Sequence, residues 1–244
     1  MSRILAAVLC CLALGLLLAS PPRALTQQSA VTGRIELTGM TASGIHDYSG
    51  GIVWLTPVGE TKDKVPPAPH RLQQLVQHHK SFSPHLLIVQ VGSSVEFPNR
   101  DPFFHNVFSL FEGKRFDLGL YESGSSRTVV FDRVGICYIF CNIHSEMSAV
   151  IVVLNTPYYA ISDRRGDINL PNVVPGVYEL HVWHERASPE ALSALKRKVT
   201  ITASSSSFGV LRIPEQTSTL QAHKNKYGQD YDPPAPDSPL YSHP

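Results

Sequence analysis

Gly135-Ile136-Cys137-Tyr138-Ile139-Phe140-Cys141-Asn142-Ile143-His144-Ser145-Glu146-Met147-Ser148-Ala149-Val150-Ile151-Val152-Val153-Leu154 decides how this chain is read. Two runs rich in β-branched and aromatic residues flank a short polar connection, which predicts two strands joined at one end of a sheet. Within the connection Cys141, His144 and Met147 recur at three-residue intervals. Each therefore sits one step further around the bend, and a loop can turn a thiolate, an imidazole and a thioether toward one point.

Working outward, short apolar runs broken by Gly, Pro, Ser, Asn and Asp continue in both directions, with no long amphipathic helix. The strands expected before the decisive stretch are Val31 to Leu37, Gly51 to Leu55, Leu86 to Val91, Ser94 to Phe97, His105 to Ser109 and Arg127 to Phe131. Lys64 to His70 reads as a Pro-rich loop, and Leu72 to His79 suits either a strand or a helical turn. After Asn155-Thr156-Pro157 a second β pattern begins, running through Tyr158 to Ile161, Gly166 to Leu180 and Val182 to Trp183, with further strands at Lys198 to Thr202 and at Phe208 to Ile213. A short surface helix is expected at Glu190 to Lys196. The fold class is all-β, in two sandwiches. The expected divisions are a secretory signal over 1–25, an N-terminal β segment over 26–80 leading into the first sandwich, a core over 81–155, a smaller β domain over 156–214 and a Pro-rich mobile tail over 215–244.

The chain has 244 residues, 43% of them hydrophobic, enough to fill a real core. Its net charge of +1 comes from intermixed signs, which gives no footprint for nucleic acid or anionic lipid. Arg3 and the apolar stretch Ile4 to Ala19, followed by Ser20-Pro21-Pro22, predict export to a periplasmic or secreted location, with no membrane span once the leader is removed and an uncleaved N-terminal anchor as the rival reading. Cys10 and Cys11 leave with it. Cys137 and Cys141 remain on one strand, about 13 Å apart if extended, and a disulfide needs less than about 7 Å. An exported chain with unbridged cysteines calls for a reason. Metal ligation supplies one for Cys141, while Cys137 reads as a small buried hydrophobe.

A fourth donor stands upstream in Asp101-Pro102-Phe103-Phe104-His105-Asn106-Val107. Two imidazoles and a thiolate with a distant thioether are the donors that copper favours in electron-transfer sites. Zinc prefers closed sets of Cys and His, and a thioether suits it poorly. Asn106 is placed to tie the ligand segments together and to aim its backbone N–H at the Cys141 sulfur. Phe103, Phe104, Phe108 and Phe111 bracket His105, mostly as core, with one or two forming an apolar rim near the metal. His78, His79 and His85 read as surface residues on a polar turn, with a second metal site as the rival reading.

The stretch from about Phe82 to Leu154 resembles a cupredoxin of the amicyanin and plastocyanin group, a Greek-key sandwich. The motifs are Val91-Gly92-Ser93-Ser94-Val95-Glu96-Phe97, Asn99, Asp101, His105-Asn106-Val107, Gly135 and Cys141 to Met147. The resemblance implies one copper ion cycling between Cu(I) and Cu(II), with His105, Cys141 and His144 as equatorial ligands, Met147 as the axial one, and Asn99 and Asn106 supporting them. It also implies a one-electron carrier serving a redox protein partner such as a cytochrome or dehydrogenase, and no catalysis of its own. Multicopper relatives add His-x-His pairs and a His beside the ligand Cys; here Phe140 and Asn142 flank Cys141. The chain departs from the short-loop relatives in having Asn142, Ile143, Ser145 and Glu146 where prolines are usual, and Cys137 where Tyr is common. The loop is therefore expected to be less rigid, and Glu146, with Phe103 and Phe104, to bear on partner docking. The block after Pro157 resembles carboxypeptidase-regulatory or transthyretin-like modules. The alternatives are a copper chaperone or sensor that does not cycle, and an envelope-binding or scaffold protein.

Overall fold

The structure, a computed structural model, describes residues 29–39, 47–110, 113–204, 206–216 and 223–231. The expected leader 1–25 with Cys10 and Cys11, Phe111, and residues 217–222 and 232–244 of the expected tail lie outside them. The regular structure of the described residues is almost wholly strand, with one 3-10 turn at Gly59–Lys64 and one helix at Pro189–Leu195. Ser188 caps that helix by accepting from the Ala191 N–H, and Pro189 starts it.

The strand Ser148–Leu154 sets the architecture. It lies inside a five-stranded sheet ordered Leu86–Gln90, Ser148–Leu154, Gly135–Phe140, His105–Ser109, Phe116–Tyr121. Side chains alternate across a strand. Ala149, Ile151 and Val153 join Val107, Cys137 and Ile139 against Val95, Phe97, Val129 and Phe131 of a facing three-stranded sheet, which completes the first sandwich. Val150, Val152 and Leu154 point the other way, into a cluster with Ile88, Phe108 and Phe140 and with Ile52 and Trp183 of the second sandwich. A strand covered on both faces has no polar side, so it reads as an unbroken apolar run. Ser93–Pro98, covered on one face, alternates buried and half-buried instead.

The second sandwich pairs a three-stranded sheet (Asp167–Val173, Ser29–Thr38, Ser206–Pro214) with a four-stranded one (Tyr159–Ile161, Ile52–Pro57, Gly176–Trp183, Arg197–Ile201) around its own core. The segment 26–80 was expected to lead into the first sandwich. Its strands Ser29–Thr38 and Ile52–Pro57 belong to the second one instead. At the crossing point Thr156 donates its hydroxyl to the Leu55 carbonyl at 2.7 Å, returning the chain to a strand laid down a hundred residues earlier. Three further differences appear. Leu72 to His79 forms two short strands, Leu72–Gln74 and Val76–His78. Phe116–Tyr121 is a strand the pattern did not suggest, because it is a half-buried edge interrupted by Gly119 at φ 67°. Residues 223–231 of the expected mobile tail lie against the connection after Phe140.

Trp183 fills the seam between the sandwiches and is nearly buried there. Replacing it with Ala removes most of the apolar surface it buries against Ile52, Ile88 and Val152. Trp183→Ala is expected to cost about 3–5 kcal/mol, read as a lowered urea midpoint. An unchanged midpoint would show that the seam carries no stability.

Candidate metal centre

Three elements bring the donors together. His105 opens the strand His105–Ser109, Cys141 follows the last residue of Gly135–Phe140, and Met147 precedes the first of Ser148–Leu154. The Phe140 partners, Phe108 on one side and Ser148 on the other, fix the three strand ends side by side. The intervening loop is pinned by two backbone bonds, from the Cys141 N–H to the Met147 carbonyl and from the Met147 N–H to the His144 carbonyl, both 3.2 Å.

The Cys141 Sγ lies 3.7 Å from His105 Nδ1 and 3.6 Å from His144 Nδ1. One ligand atom from each residue falls within 4.8 Å of the others, and among the described residues no other such group of His, Cys, Asp and Glu occurs. Bonds of about 2.3 Å to a thiolate and about 2.0 Å to an imidazole, set 120° apart, would place sulfur and nitrogen about 3.7 Å from each other. The observed separations match that triangle, so the three residues could hold a metal ion. All three are buried, as is the Met147 side chain.

Asp101 orients the first imidazole. Its Oδ2 lies 2.7 Å from His105 Nε2, both side chains almost wholly enclosed. Burial pushes the Asp101 carboxyl upward, but bonds from His105 and from the Lys80 and His79 N–H groups outweigh it and hold the carboxyl below its usual range. An ionised Asp101 accepts from Nε2–H, which leaves the lone pair of Nδ1 facing the Cys141 sulfur. Burial in turn keeps His105 neutral, against the pull of Asp101. The Cys141 thiol is raised by burial and by Glu146, while the N–H groups of Asn106, Ile143 and His144 oppose the rise. Those three donors are placed for a thiolate, the form a metal would take by displacing the proton.

The expected supporting residues behave unequally. Asn106 does aim its backbone N–H at Cys141, but its side-chain amide bonds Asp117 and Gly119 on the edge strand rather than the loop. Asn99 shapes the turn before His105, giving its amide to the Phe103 and Tyr121 carbonyls and accepting from the Asp101 N–H. Phe103 packs its ring 5.2 Å from His105 and 5.7 Å from His144, Phe104 is exposed, and so is Glu146. His144 is only 5% exposed, so its edge is nearly covered. Cys137 is buried as expected and accepts from the Lys114 N–H at 3.1 Å. His78 and His79 meet edge to face, whereas His85 pairs with Glu185 and the Ser148 carbonyl, so the three do not converge. Asp101 was visible in sequence only as part of a motif; its position four residues before a ligand histidine gives no signal of its role, because the segment between them is an irregular turn.

No protein-family profile matches the chain, and no curated protein does. Among solved structures it is similar to a purple cupredoxin from Nitrosopumilus maritimus, at 23% identity and TM-score 0.31, over 34% of this chain and 99% of that one. It is also similar to a Cu-containing nitrite reductase from Thermus scotoductus SA-01, at 21% identity and TM-score 0.32, over 49% of this chain and 28% of that one. A reduced Cu(I) form of an amicyanin mutant matches at 18% identity and TM-score 0.33, over 36% and 92%. The chemistry of the site rests on its own atoms.

His144 is pushed down to about 4, mainly by burial and then by the neighbouring His105. In the unfolded chain the imidazole takes up its proton near 6.5. The unfolded state therefore binds more protons between those values, and stability present above pH 6.5 is lost as pH falls toward 4. The urea midpoint of metal-free protein should drop through this window more steeply than that of His144→Gln. Parallel profiles would show that His144 is not buried neutral.

Proposed function

We propose that the chain is an exported type 1 copper protein that carries single electrons between redox partners and catalyses nothing itself. The observation that carries this reading is the buried triangle of Cys141 Sγ and two Nδ1 atoms at 3.6 and 3.7 Å. His105, Cys141 and His144 would hold the ion, with Met147 as the soft axial donor, a set that suits copper above other first-row metals. Bound copper would supply a one-electron couple. The residues do the rest: Asp101 and the loop bonds fix the donors before any ion arrives, and the N–H groups at Cys141 stabilise its negative charge. Fixed donors suit fast exchange, because little needs to move when the charge changes. Enclosure of all three donors also favours a retained ion over one handed on, which speaks against a chaperone role.

Phe103 against both imidazoles, with exposed Phe104 and Ile143 beside it, suits close docking of a cytochrome or dehydrogenase. Glu146 would add a charge to that face. The second sandwich is proposed as a carboxypeptidase-regulatory or transthyretin-like module that stabilises the first or helps it dock. Export and a periplasmic or secreted location are supported by the leader-like residues 1–25.

Cu(II)-loaded protein should show an intense thiolate-to-metal band in the red that vanishes in Cys141→Ser; a colourless loaded protein would sink the proposal. Asp101→Asn should weaken copper binding by about 10–100-fold, since the residue orients a ligand. It should also raise the reduction potential, because a buried negative charge that favours Cu(II) is gone. Competition titration and voltammetry read both effects. An affinity and potential equal to those of the parent would remove Asp101 from the site.

A further inference from the structure

The metal loop leaves three acceptors facing outward: the carbonyls of Cys141 and Ser145 and the Asn142 side-chain oxygen. All three are taken by one distant segment. The Tyr231 hydroxyl donates to the Cys141 carbonyl at 2.7 Å, the Lys226 N–H donates to Asn142 Oδ1 at 3.0 Å, and His223 Nε2 lies 2.8 Å from the Ser145 carbonyl. The His223 ring also stacks on Phe140, the residue before the ligand cysteine, at 4.0 Å between centroids.

The segment is shaped for this. The Asn225 side chain accepts from the Tyr227 and Gln229 N–H groups, Gly228 takes a φ of 77°, and the Asn225 N–H reaches the Gln229 carbonyl. That turn folds the segment back on itself and sets the Tyr231 hydroxyl 3.2 Å from His223 Nδ1. Lys226 also reaches the edge strand Phe116–Tyr121, which pairs with the strand that carries His105. Its Nζ lies 2.7 Å from Asp117 Oδ2, while Asp117 Oδ1 accepts from the Asn106 amide, next to His105. Through Asp117 and Asn106, Lys226 thus links the loop that carries Cys141 and His144 to the strand that carries His105.

We propose that residues 223–231 are a strap that fixes the metal loop, with His223, Lys226 and Tyr231 as positioning residues for the metal donors. The inference builds on the copper reading and deepens it: a loop without prolines gains from another part of the chain the rigidity that a redox site needs. Without the strap the loop would keep its two internal bonds but regain the freedom of its outward groups.

The test uses full-length protein carrying His223→Ala, Lys226→Met and Tyr231→Phe together. In the metal-free state, amide hydrogen exchange over residues 142–147 should accelerate by about tenfold or more, as expected for losing several bonds of modest strength. Exchange in the strands Gly135–Phe140 and Ser148–Leu154 should stay as in the parent. Once loaded with Cu(II), the variant should show a shifted or weakened thiolate band and altered copper hyperfine splitting, and Lys226→Arg alone should keep the parental spectrum. Unchanged loop exchange would overturn the strap, and so would acceleration spread evenly through the sheet, which marks a loss of overall stability. A parent that shows no thiolate band would fail the copper reading alone, because the exchange comparison is made without metal.

Discussion

Burying a thiol and two imidazoles against each other is unfavourable, and the structure is organised around making that arrangement tolerable. Each of the three groups is shifted by burial toward its neutral form. Neutrality removes their mutual repulsion, but the contacts that remain, a weak thiol donor against two ring nitrogens, are too weak to hold the triangle without help. The help comes from polar groups supplied from outside: an ionised carboxylate behind His105, three N–H groups around the sulfur, and two backbone bonds across the loop. Asp101 is itself affordable there only because the His79 and Lys80 N–H groups, in a turn with positive φ at both residues, close on its oxygens. The histidine turn that suggested a second metal site thus serves the first one.

The five-stranded sheet explains why the donors meet at one edge of the molecule. A strand buried on one face can tilt or slip against solvent, whereas Ser148–Leu154 is gripped on both faces, and a slip of one residue would send each apolar side chain to the wrong core. Its register with Gly135–Phe140 therefore fixes where the loop between them begins and ends. The second sandwich takes part in positioning the metal loop by packing Ile52 and Trp183 onto that sheet.

Most of this was legible in the residues themselves. The class of fold, the strands around the loop and the grouping of Cys141 with His144 follow from alternation and spacing, because those signals are local, whereas His105, 36 positions upstream, was placed with them by the family resemblance. The rest depends on partners far apart in the chain. Ser29–Thr38 pairs with Ser206–Pro214 in parallel, and nothing within either segment names the other. Phe116–Tyr121 escaped because Gly119 breaks a short, half-buried edge strand, and the Asp101 bond escaped because side-chain direction in an irregular turn has no sequence period. Residues 223–231 look like a polar tail in composition; their place is set by three acceptors that only the folded loop presents.

The join between the sandwiches combines two unlike forces, and their sizes decide their roles. His85, from the first sandwich, lies 3.1 Å from the Ser148 carbonyl through Nδ1 and 2.6 Å from a Glu185 oxygen through Nε2. Both partners are acceptors, so only the imidazolium can satisfy the two at once, in keeping with a proton affinity raised chiefly by Glu185. The link is half exposed and such pairs contribute at most about 1 kcal/mol. The apolar seam around Trp183 buries far more and must supply the bulk of the adhesion. What the ionic link adds is direction: it grips the carbonyl that follows Met147, so the seam holds the sandwiches together while His85 ties the end of the metal loop to a defined point on the neighbouring one.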